Sequence, residues 1–185
     1  MTKSFYSKAP IHERPKFQWP NGATLAVVLS INLETWDIHT DVPYSSGPEI
    51  LPLIGLPKGY ESLPNYTWRE YGPRIGIWRL MKYLGERDIP VTVPLNTRFG
   101  LEYPDILTKA KELGWKFMPH CQTQHQNLAY LAKDPEAEKA IIQSSTDQFE
   151  EIFGYRPKGW MSPSLAYTLN TLEILKDEGY LYTCD

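Results

Sequence analysis

The stretch Ala23–Asn32 (ATLAVVLSIN) decides the fold, because it runs directly into Leu33 and Glu34. An apolar run rich in Val, Leu and Ile that ends abruptly in polar, ionisable residues is typical of a buried parallel strand. Side chains at positions i and i+2 of a strand point to the same side, so Asn32 and Glu34 are expected to face one pocket. In parallel α/β folds the carboxyl ends of the strands carry the chemistry.

Three further apolar runs close on polar residues in the same way: Val91–Leu95, Trp115–Met118 and Gly159–Met161. They are followed by Asn96, by Pro119-His120-Cys121 and by Ser162. Four strand ends that close on polar residues predict one shared pocket.

The segments between these runs have the spacing of helices. Helices are predicted over Pro73–Arg87, Tyr103–Leu113, Asp134–Phe153 and Thr168–Glu178, and strands over Ile89–Asn96, Lys116–His120, Lys158–Met161 and from Tyr180. Alternating strands and helices indicate an α/β fold with a parallel sheet. Residues 1–22 are interpreted as an N-terminal arm and residues 23–185 as one domain. Because a closed barrel needs more than about 200 residues, we expect a shortened barrel or an open sheet.

The bulk composition excludes several classes of protein. The chain has 185 residues, a formal net charge of -3 and 42% hydrophobic residues, as in an ordinary globular protein. A slightly acidic chain without a long apolar run indicates no nucleic-acid partner and no membrane partner, and we expect a cytoplasmic location. The aromatic-rich connection over residues 33–70 predicts an ordered flap, and we expect a homo-oligomer.

Glu34, His120 and His125 are the candidate metal ligands, because a carboxylate with two histidines suits a divalent cation. The two histidines are five residues apart, whereas two ligands on one helical turn are four apart. The alternative is that His120 is a hydrogen-bonded pocket residue and His125 a surface residue. We expect no cofactor, with zinc or another divalent metal as the alternative.

Other candidates surround this site. Arg74, taken to lie in the first turn of its helix, opposes the helix dipole and should pair with Glu70 or with a substrate. The alternative is a solvated surface arginine. Ser162 has no recognisable histidine or acid beside it, which argues against a serine nucleophile. Cys121 is interpreted as a buried, inert thiol rather than a nucleophile.

An ordered set of motifs resembles one family. The motifs are Asn32-Leu33-Glu34, Glu70–Trp78, Arg87–Val93, Gly114-Trp115 with His120, and Gly154–Trp160. Together they resemble the polysaccharide deacetylase (NodB-homology) superfamily, and most closely its allantoinase-like and peptidoglycan deacetylase-like branch. The resemblance implies a distorted (β/α) barrel of about seven strands, longer than this chain.

The resemblance also implies roles for single residues. In metal-dependent members of the superfamily, Asn32 corresponds to the general base Asp and Glu34 to the metal-binding acid. His120 matches the first histidine, while Gln124 occupies the place of the second and His125 is one residue out of register. Met161-Ser162-Pro163 stands where the family has an Arg-containing motif. The Asn-x-Glu pair resembles the allantoinase-like branch, which is regarded as not requiring zinc.

Three hypotheses follow. The first is a hydrolase of non-peptide carbon–nitrogen bonds in a small amide, a cyclic amide or an N-acetylated carbohydrate, with Glu34 and His120 in acid–base roles. Its substrate-binding residues would be Asn32, Tyr71, Arg74, Trp160 and Ser162. The second is a zinc-dependent polysaccharide deacetylase that uses Glu34, His120 and His125. The third is a non-catalytic carbohydrate-binding homologue.

Overall fold

A computed structural model describes residues 9–36 and 63–185 of the chain, so most of the predicted flap lies outside the described residues. The helices are Leu63–Tyr71 (α1), Ile77–Gly85 (α2), Thr97–Glu102 (α3), Pro104–Glu112 (α4), Pro135–Phe153 (α5) and Thr171–Asp177 (α6). The strands are Thr92–Leu95 (β1), Lys116–Pro119 (β2), Gly159–Trp160 (β3) and Tyr182–Thr183 (β4). Strands and helices alternate along the chain from β1 onward, and the fold is mixed α/β, as the sequence predicts.

All pairings between the strands are parallel. β1 pairs with β2, with Val93 opposite Phe117, and β3 pairs with β4. A hydrogen bond from the Met161 N–H to the Pro119 carbonyl, 3.2 Å long, links the end of β3 to the end of β2. The edge segment, residues 29–33, runs parallel to the other side of β1 through bridges at residues 30 and 33. The polar residues after the edge segment, β1 and β2 therefore emerge at one end of these strands.

The predicted buried strand over Ala23–Asn32 is wrong in its first part. Only the edge segment pairs with β1, and every residue from Pro10 to Ser30 is exposed. Leu25 and Val27 expose 73% and 81% of their surface. The reason is that β1 begins at Thr92, so the preceding apolar residues have no strand beside them among the described residues.

The first regular helix begins earlier than the sequence analysis predicts. α1 continues through a π-helical turn, Gly72–Gly76, into α2, so Pro73 lies within a helical run rather than at its start. The expectation that Arg74 opposes a helix dipole in a first turn is therefore wrong. Pro lacks an N–H and crowds the preceding turn, which accounts for a π turn at this position.

The longest helix, α5, has the ends that its sequence predicts. The Asp134 side chain accepts a hydrogen bond from the Ala137 N–H, Pro135 occupies the first turn, and Gly154 ends the helix with a φ of 74°. A left-handed backbone conformation after the last turn of a helix favours glycine, because a residue with a Cβ is strained there. No helix among the described residues is long and apolar enough to cross a membrane.

The core has two parts that meet at the strand ends. The first packs β1 against α2 and α4 through Val93, Leu95, Met81 and Ile106 among others. The second joins the end of β2 to α5, β3 and α6, with these buried members: Cys121, Leu128, Ile142, Trp160, Ile174, Leu175 and Tyr180. The residues that follow β1 and β2 are held from both sides by close packing, which positions the site.

Candidate acid–base site

Glu34 and His120 come together at the carboxyl ends of neighbouring strands. Glu34 follows the edge segment, His120 follows β2, and β1 lies between them. Glu34 Oε1 lies 3.6 Å from His120 Nε2. This separation is slightly longer than a hydrogen bond, so a small shift of either side chain lets the two groups share one proton.

The ring of His120 is held in one orientation. Its side chain is almost fully buried, and Nδ1 lies 2.8 Å from the carbonyl oxygen of Met161, which follows β3. A carbonyl only accepts hydrogen bonds, so the contact requires the proton on Nδ1. Nε2 is then the atom that faces Glu34, and it has no hydrogen-bond partner among the described residues.

Hydrogen bonds to both oxygens fix the carboxylate of Glu34. Asn32 Nδ2 donates to Oε1 at 3.2 Å, and Trp36 Nε1 donates to Oε2 at 3.2 Å. Burial alone would raise the pKa of Glu34, but interaction with His120 and the bonds from Asn32 and Trp36 outweigh it and lower the pKa below its ordinary value of 4.5. Glu34 is therefore a carboxylate at neutral pH.

The chain turns sharply directly after His120. Cys121 has a φ of 53°, which is uncommon for a residue with a side chain. The N–H groups of Thr97 and Arg98, at the start of α3, donate to the carbonyls of Cys121 and Gln122 at 3.0 and 3.2 Å. The turn leaves the Cys121 side chain fully buried, and burial raises the pKa of its thiol well above the ordinary value. The structure thus favours the inert thiol.

A cavity of about 400 Å³ opens beside Glu34. Its wall is formed by Glu34, Thr35, Trp36, Tyr66, Arg69, Glu70, Pro73, Arg98, Glu102 and Tyr103. The Arg69 guanidinium stacks on Trp36, 3.7 Å from the ring centre, and Arg98 Nε lies 2.7 Å from Glu102 Oε1. Glu34 belongs to the wall, and His120 lies behind it. The cavity can therefore hold a small polar group against the carboxylate.

Of the residues expected to bind substrate, only Asn32 lies next to Glu34. Tyr71 is half exposed and its hydroxyl accepts a hydrogen bond from Arg79, while Arg74 is exposed and pairs with Glu70 at 2.8 Å. None of the five expected binding residues belongs to the wall of the cavity. Glu70 is one of the two partners predicted for Arg74 from the sequence.

Trp160 and Ser162 are completely buried. Ser162 Oγ accepts a hydrogen bond from Trp160 Nε1 at 3.0 Å and donates one to Asp185 Oδ2 at 2.9 Å. Ser162 therefore does have an acid beside it, which the sequence analysis missed because Asp185 is 23 residues further along the chain. A triad-type serine nucleophile donates its hydroxyl proton to a histidine, whereas the Ser162 hydroxyl donates directly to Asp185.

The described residues do not fit a catalytic zinc ion. His120 has the expected second contact, a ring N–H bound to a backbone carbonyl. A catalytic zinc site uses three protein ligands, however, and in residues 9–36 and 63–185 no three His, Cys, Asp or Glu side chains come together. His125 lies against the ring of Trp36, with centroids 5.6 Å apart, and does not join Glu34 and His120.

Several residues at the site carry contacts to which the sequence analysis assigned no role. Asn96 joins the segments that carry Glu34 and His120, Trp36 holds the carboxylate, and Arg69 and Glu102 belong to the cavity wall. Only Asn96 gives a signal in the sequence, as a polar residue directly after an apolar strand. Arg69 and Glu102 lie on helices whose faces the sequence does not orient.

Comparison with known proteins agrees with this architecture. The structure is similar to that of Puue allantoinase, with a TM-score of 0.74 and 22% identity, covering 99% of this chain and 61% of that one. It is also similar to a probable polysaccharide deacetylase from Pseudomonas aeruginosa PAO1, with a TM-score of 0.67 and 22% identity over 85% of this chain and 53% of that one. The chain thus spans between half and two thirds of the length of these solved structures.

No curated protein matches the chain in sequence. A family model described as polysaccharide deacetylase matches residues 69–183, which include β1 to β4 and His120. Since the match covers more than half of the chain, the protein belongs to the polysaccharide deacetylase family, as its motifs predict.

Proposed function

We propose that the chain hydrolyses a carbon–nitrogen bond other than a peptide bond, in a small or cyclic amide or in the N-acetyl group of a carbohydrate. The observation that carries the proposal is the pairing of Glu34 with His120 at 3.6 Å beside a cavity of about 400 Å³. Family membership agrees with chemistry at carbon–nitrogen bonds. The two similar solved structures show the fold only and leave the substrate open.

The proposed reaction uses the two side chains in succession. A water molecule in the cavity, bound at Glu34, attacks the carbonyl carbon of the substrate. As the carbon–oxygen bond forms, its proton passes through the Glu34 carboxylate to His120 Nε2, which lies behind the wall. The ionised Glu34 stabilises the resulting imidazolium, because an opposite charge nearby favours the charged form. The proton then returns from Nε2 through Glu34 to the leaving nitrogen as the carbon–nitrogen bond breaks, which gives a carboxylic acid and an amine.

We propose that the cavity wall binds the substrate. Arg69 and Arg98 stand in the wall beside the carboxylates of Glu34, Glu70 and Glu102, and their guanidinium N–H groups suit the oxygen that becomes negative during the attack. The rings of Trp36 and Tyr103 offer apolar faces to a planar amide or to a sugar ring. Binding roles for Asn32, Tyr71, Arg74, Trp160 and Ser162, closure of the sheet into a barrel, and assembly into a homo-oligomer stay predictions.

The test is turnover by the purified chain on a panel of linear amides, cyclic amides and N-acetylated sugars. Glu34→Gln and His120→Gln should each lower kcat by about 100-fold or more, the usual contribution of a positioned acid or base. Glu112→Gln is the matched control, because Glu112 is an exposed carboxylate paired with Lys109. Full activity in both site variants would contradict the proposal.

Two other results separate the remaining hypotheses. Loss of turnover on chelation, restored by zinc, would establish the zinc-dependent reaction instead. Saturable binding of an acetylated sugar without turnover of any substrate would establish the non-catalytic homologue, for which Asn32 in place of the family's acid is the supporting observation.

A further inference from the structure

The side chain of Asn96 lies between the two segments that carry the acid–base pair. Asn96 follows β1, the strand between the edge segment and β2, and it is completely buried. Its Oδ1 accepts a hydrogen bond from the Thr35 N–H at 2.9 Å, and its Nδ2 donates to the carbonyl of His120. One carboxamide therefore contacts the residue after Glu34 and the main chain of His120 itself.

Main-chain bonds complete this connection on both sides. The Asn96 N–H donates to the Leu33 carbonyl at 2.9 Å, so the two residues that flank Glu34 are both bonded to Asn96. The His120 N–H donates to the Leu95 carbonyl at 2.8 Å. The backbone positions of Glu34 and His120 are thus both fixed relative to the end of β1.

We propose that Asn96 is a positioning residue that sets the distance between Glu34 and His120. The expected loss of kcat rests on the proposed function, but the distance between Glu34 and His120 can be probed without turnover. Asn96 is completely buried and both ends of its carboxamide are bonded to the main chain, so it acts through the pair and not on the substrate.

The chemistry of the two contacts selects an amide. The Thr35 N–H can only donate and the His120 carbonyl can only accept, so the bridging group must offer one acceptor and one donor a fixed distance apart. The side chain of Asn meets this requirement. Asp would place an oxygen against the carbonyl of His120, and Ala would leave both buried main-chain groups without a partner.

The expected consequence is a loss of kcat with little change in KM. Reacting groups displaced by about 1 Å can lose about 100-fold in rate, while a substrate held by the cavity wall keeps its contacts. We expect Asn96→Asp, which keeps the size and the acceptor for Thr35, to lower kcat by about 10- to 100-fold. KM should change by less than about threefold.

The matched control is Thr146→Val. Thr146 is equally buried and its hydroxyl contacts Tyr180 at 2.7 Å, in the part of the core that α5 shares with α6. The change removes two buried hydrogen bonds, to the Ile142 carbonyl and to Tyr180, without altering side-chain shape, so it reproduces a loss of stability away from the pair.

The first experiment records the ¹⁵N resonances of the His120 ring in the wild type, Asn96→Asp and Thr146→Val. We expect the Nε2 resonance to shift in Asn96→Asp alone, because Nε2 faces Glu34. Unchanged His120 resonances in Asn96→Asp, or an equal shift in Thr146→Val, would overturn the proposal. Asn96→Ser, which is smaller, serves as the second variant if Asn96→Asp does not fold.

The second experiment measures kcat and KM for the same variants on the best substrate of the panel. A kcat loss confined to Asn96→Asp supports the positioning role, and an equal loss in Thr146→Val overturns it. If the wild type turns over no substrate, the proposed function fails, and the ring resonances alone then decide whether Asn96 sets the geometry of the pair.

Discussion

His120 Nδ1 and the carbonyl oxygen of Met161 lie 2.8 Å apart, which ties the site to β3 as well as to β2. The orientation of the histidine therefore depends on the position of the chain after β3. That position is held by Asp185, which accepts hydrogen bonds from the N–H and the hydroxyl of Ser162 and from the hydroxyl of Thr183. A contact network thus runs from Asp185 through Ser162 and Met161 to the ring of His120.

We expect Asp185→Ala to lower both stability and turnover. The change leaves three donors without their acceptor, and it should lower the free energy of unfolding by about 2–3 kcal/mol. Turnover should fall about tenfold, because the Met161 carbonyl is no longer held in place. Thr183→Val removes one of the three bonds and should have a smaller effect in denaturant titration and in kinetics. Equal activity of Asp185→Ala and the wild type would show that the network does not reach His120.

The lowered pKa of Glu34 predicts a pH dependence of stability. A carboxyl whose pKa is lower in the folded state binds fewer protons there than in the unfolded chain. Its contribution to stability is therefore complete above the ordinary value of 4.5 and is lost as pH falls through the lowered pKa. We expect the free energy of unfolding of the wild type to fall more steeply below pH 4.5 than that of Glu34→Gln. Parallel pH profiles of the two proteins would contradict this assignment.

The order of elements could be predicted from the sequence because it depends on local signals. Asp134, Pro135 and Gly154 mark the ends of α5 at the positions that the structure confirms. The π turn inside the first helical run was not predictable, because Pro73 and Gly72 read equally well as a helix start. The helix propensities of the residues before Gly72 do not reveal that α1 already precedes this turn.

The pairing of Glu34 with His120 was predictable for a similar reason, and the residues that line the cavity were not. Residues that follow parallel strands meet at one edge of the sheet, which brings Glu34 and His120 together independently of the conformation of the loops. Arg69 and Glu102 lie on helices, and which helix face meets the cavity depends on packing that one sequence does not encode locally. Asp185 was missed because its partner Ser162 lies in another strand–loop unit.

A buried carboxylate outside the site gives a prediction about stability. Glu138 on α5 is completely buried and accepts hydrogen bonds from the hydroxyls of Thr168 and Thr171, at the start of α6. We expect Glu138→Ala to lower the free energy of unfolding by about 2–4 kcal/mol, because two hydrogen bonds between buried side chains are lost and both threonine hydroxyls lose their acceptor. The exposed Glu136 on the same helix is the control, and its replacement by Ala should cost less than about 1 kcal/mol. Similar losses for both variants would show that Glu138 is not held as described.

The two cysteines should differ in reactivity. Cys121 is fully buried, and burial raises the pKa of its thiol well above the ordinary value, whereas Cys184 is exposed and its pKa is raised less far, by partial burial and by Asp185. The thiolate is the reactive form, so a native protein treated with a thiol reagent at mild alkaline pH should be labelled at Cys184 only. Mass spectrometry of the labelled peptides checks the site, and labelling in denaturant should reach both residues. Rapid native labelling of Cys121 would contradict its burial and reopen the nucleophile hypothesis.

The exposed apolar residues before the edge segment allow a test of whether that face is free in solution. Val27 exposes 81% of its surface and lies before the first residue that pairs with β1. Val27→Lys should therefore change the free energy of unfolding by less than about 0.5 kcal/mol, as is usual for an exposed position. The buried Val93 on β1 is the contrast, since Val93→Lys places a charge in the core and should prevent folding. A loss of several kcal/mol in Val27→Lys, together with a lower mass in light scattering, would mean that these side chains are buried between copies of the chain, as expected for a homo-oligomer.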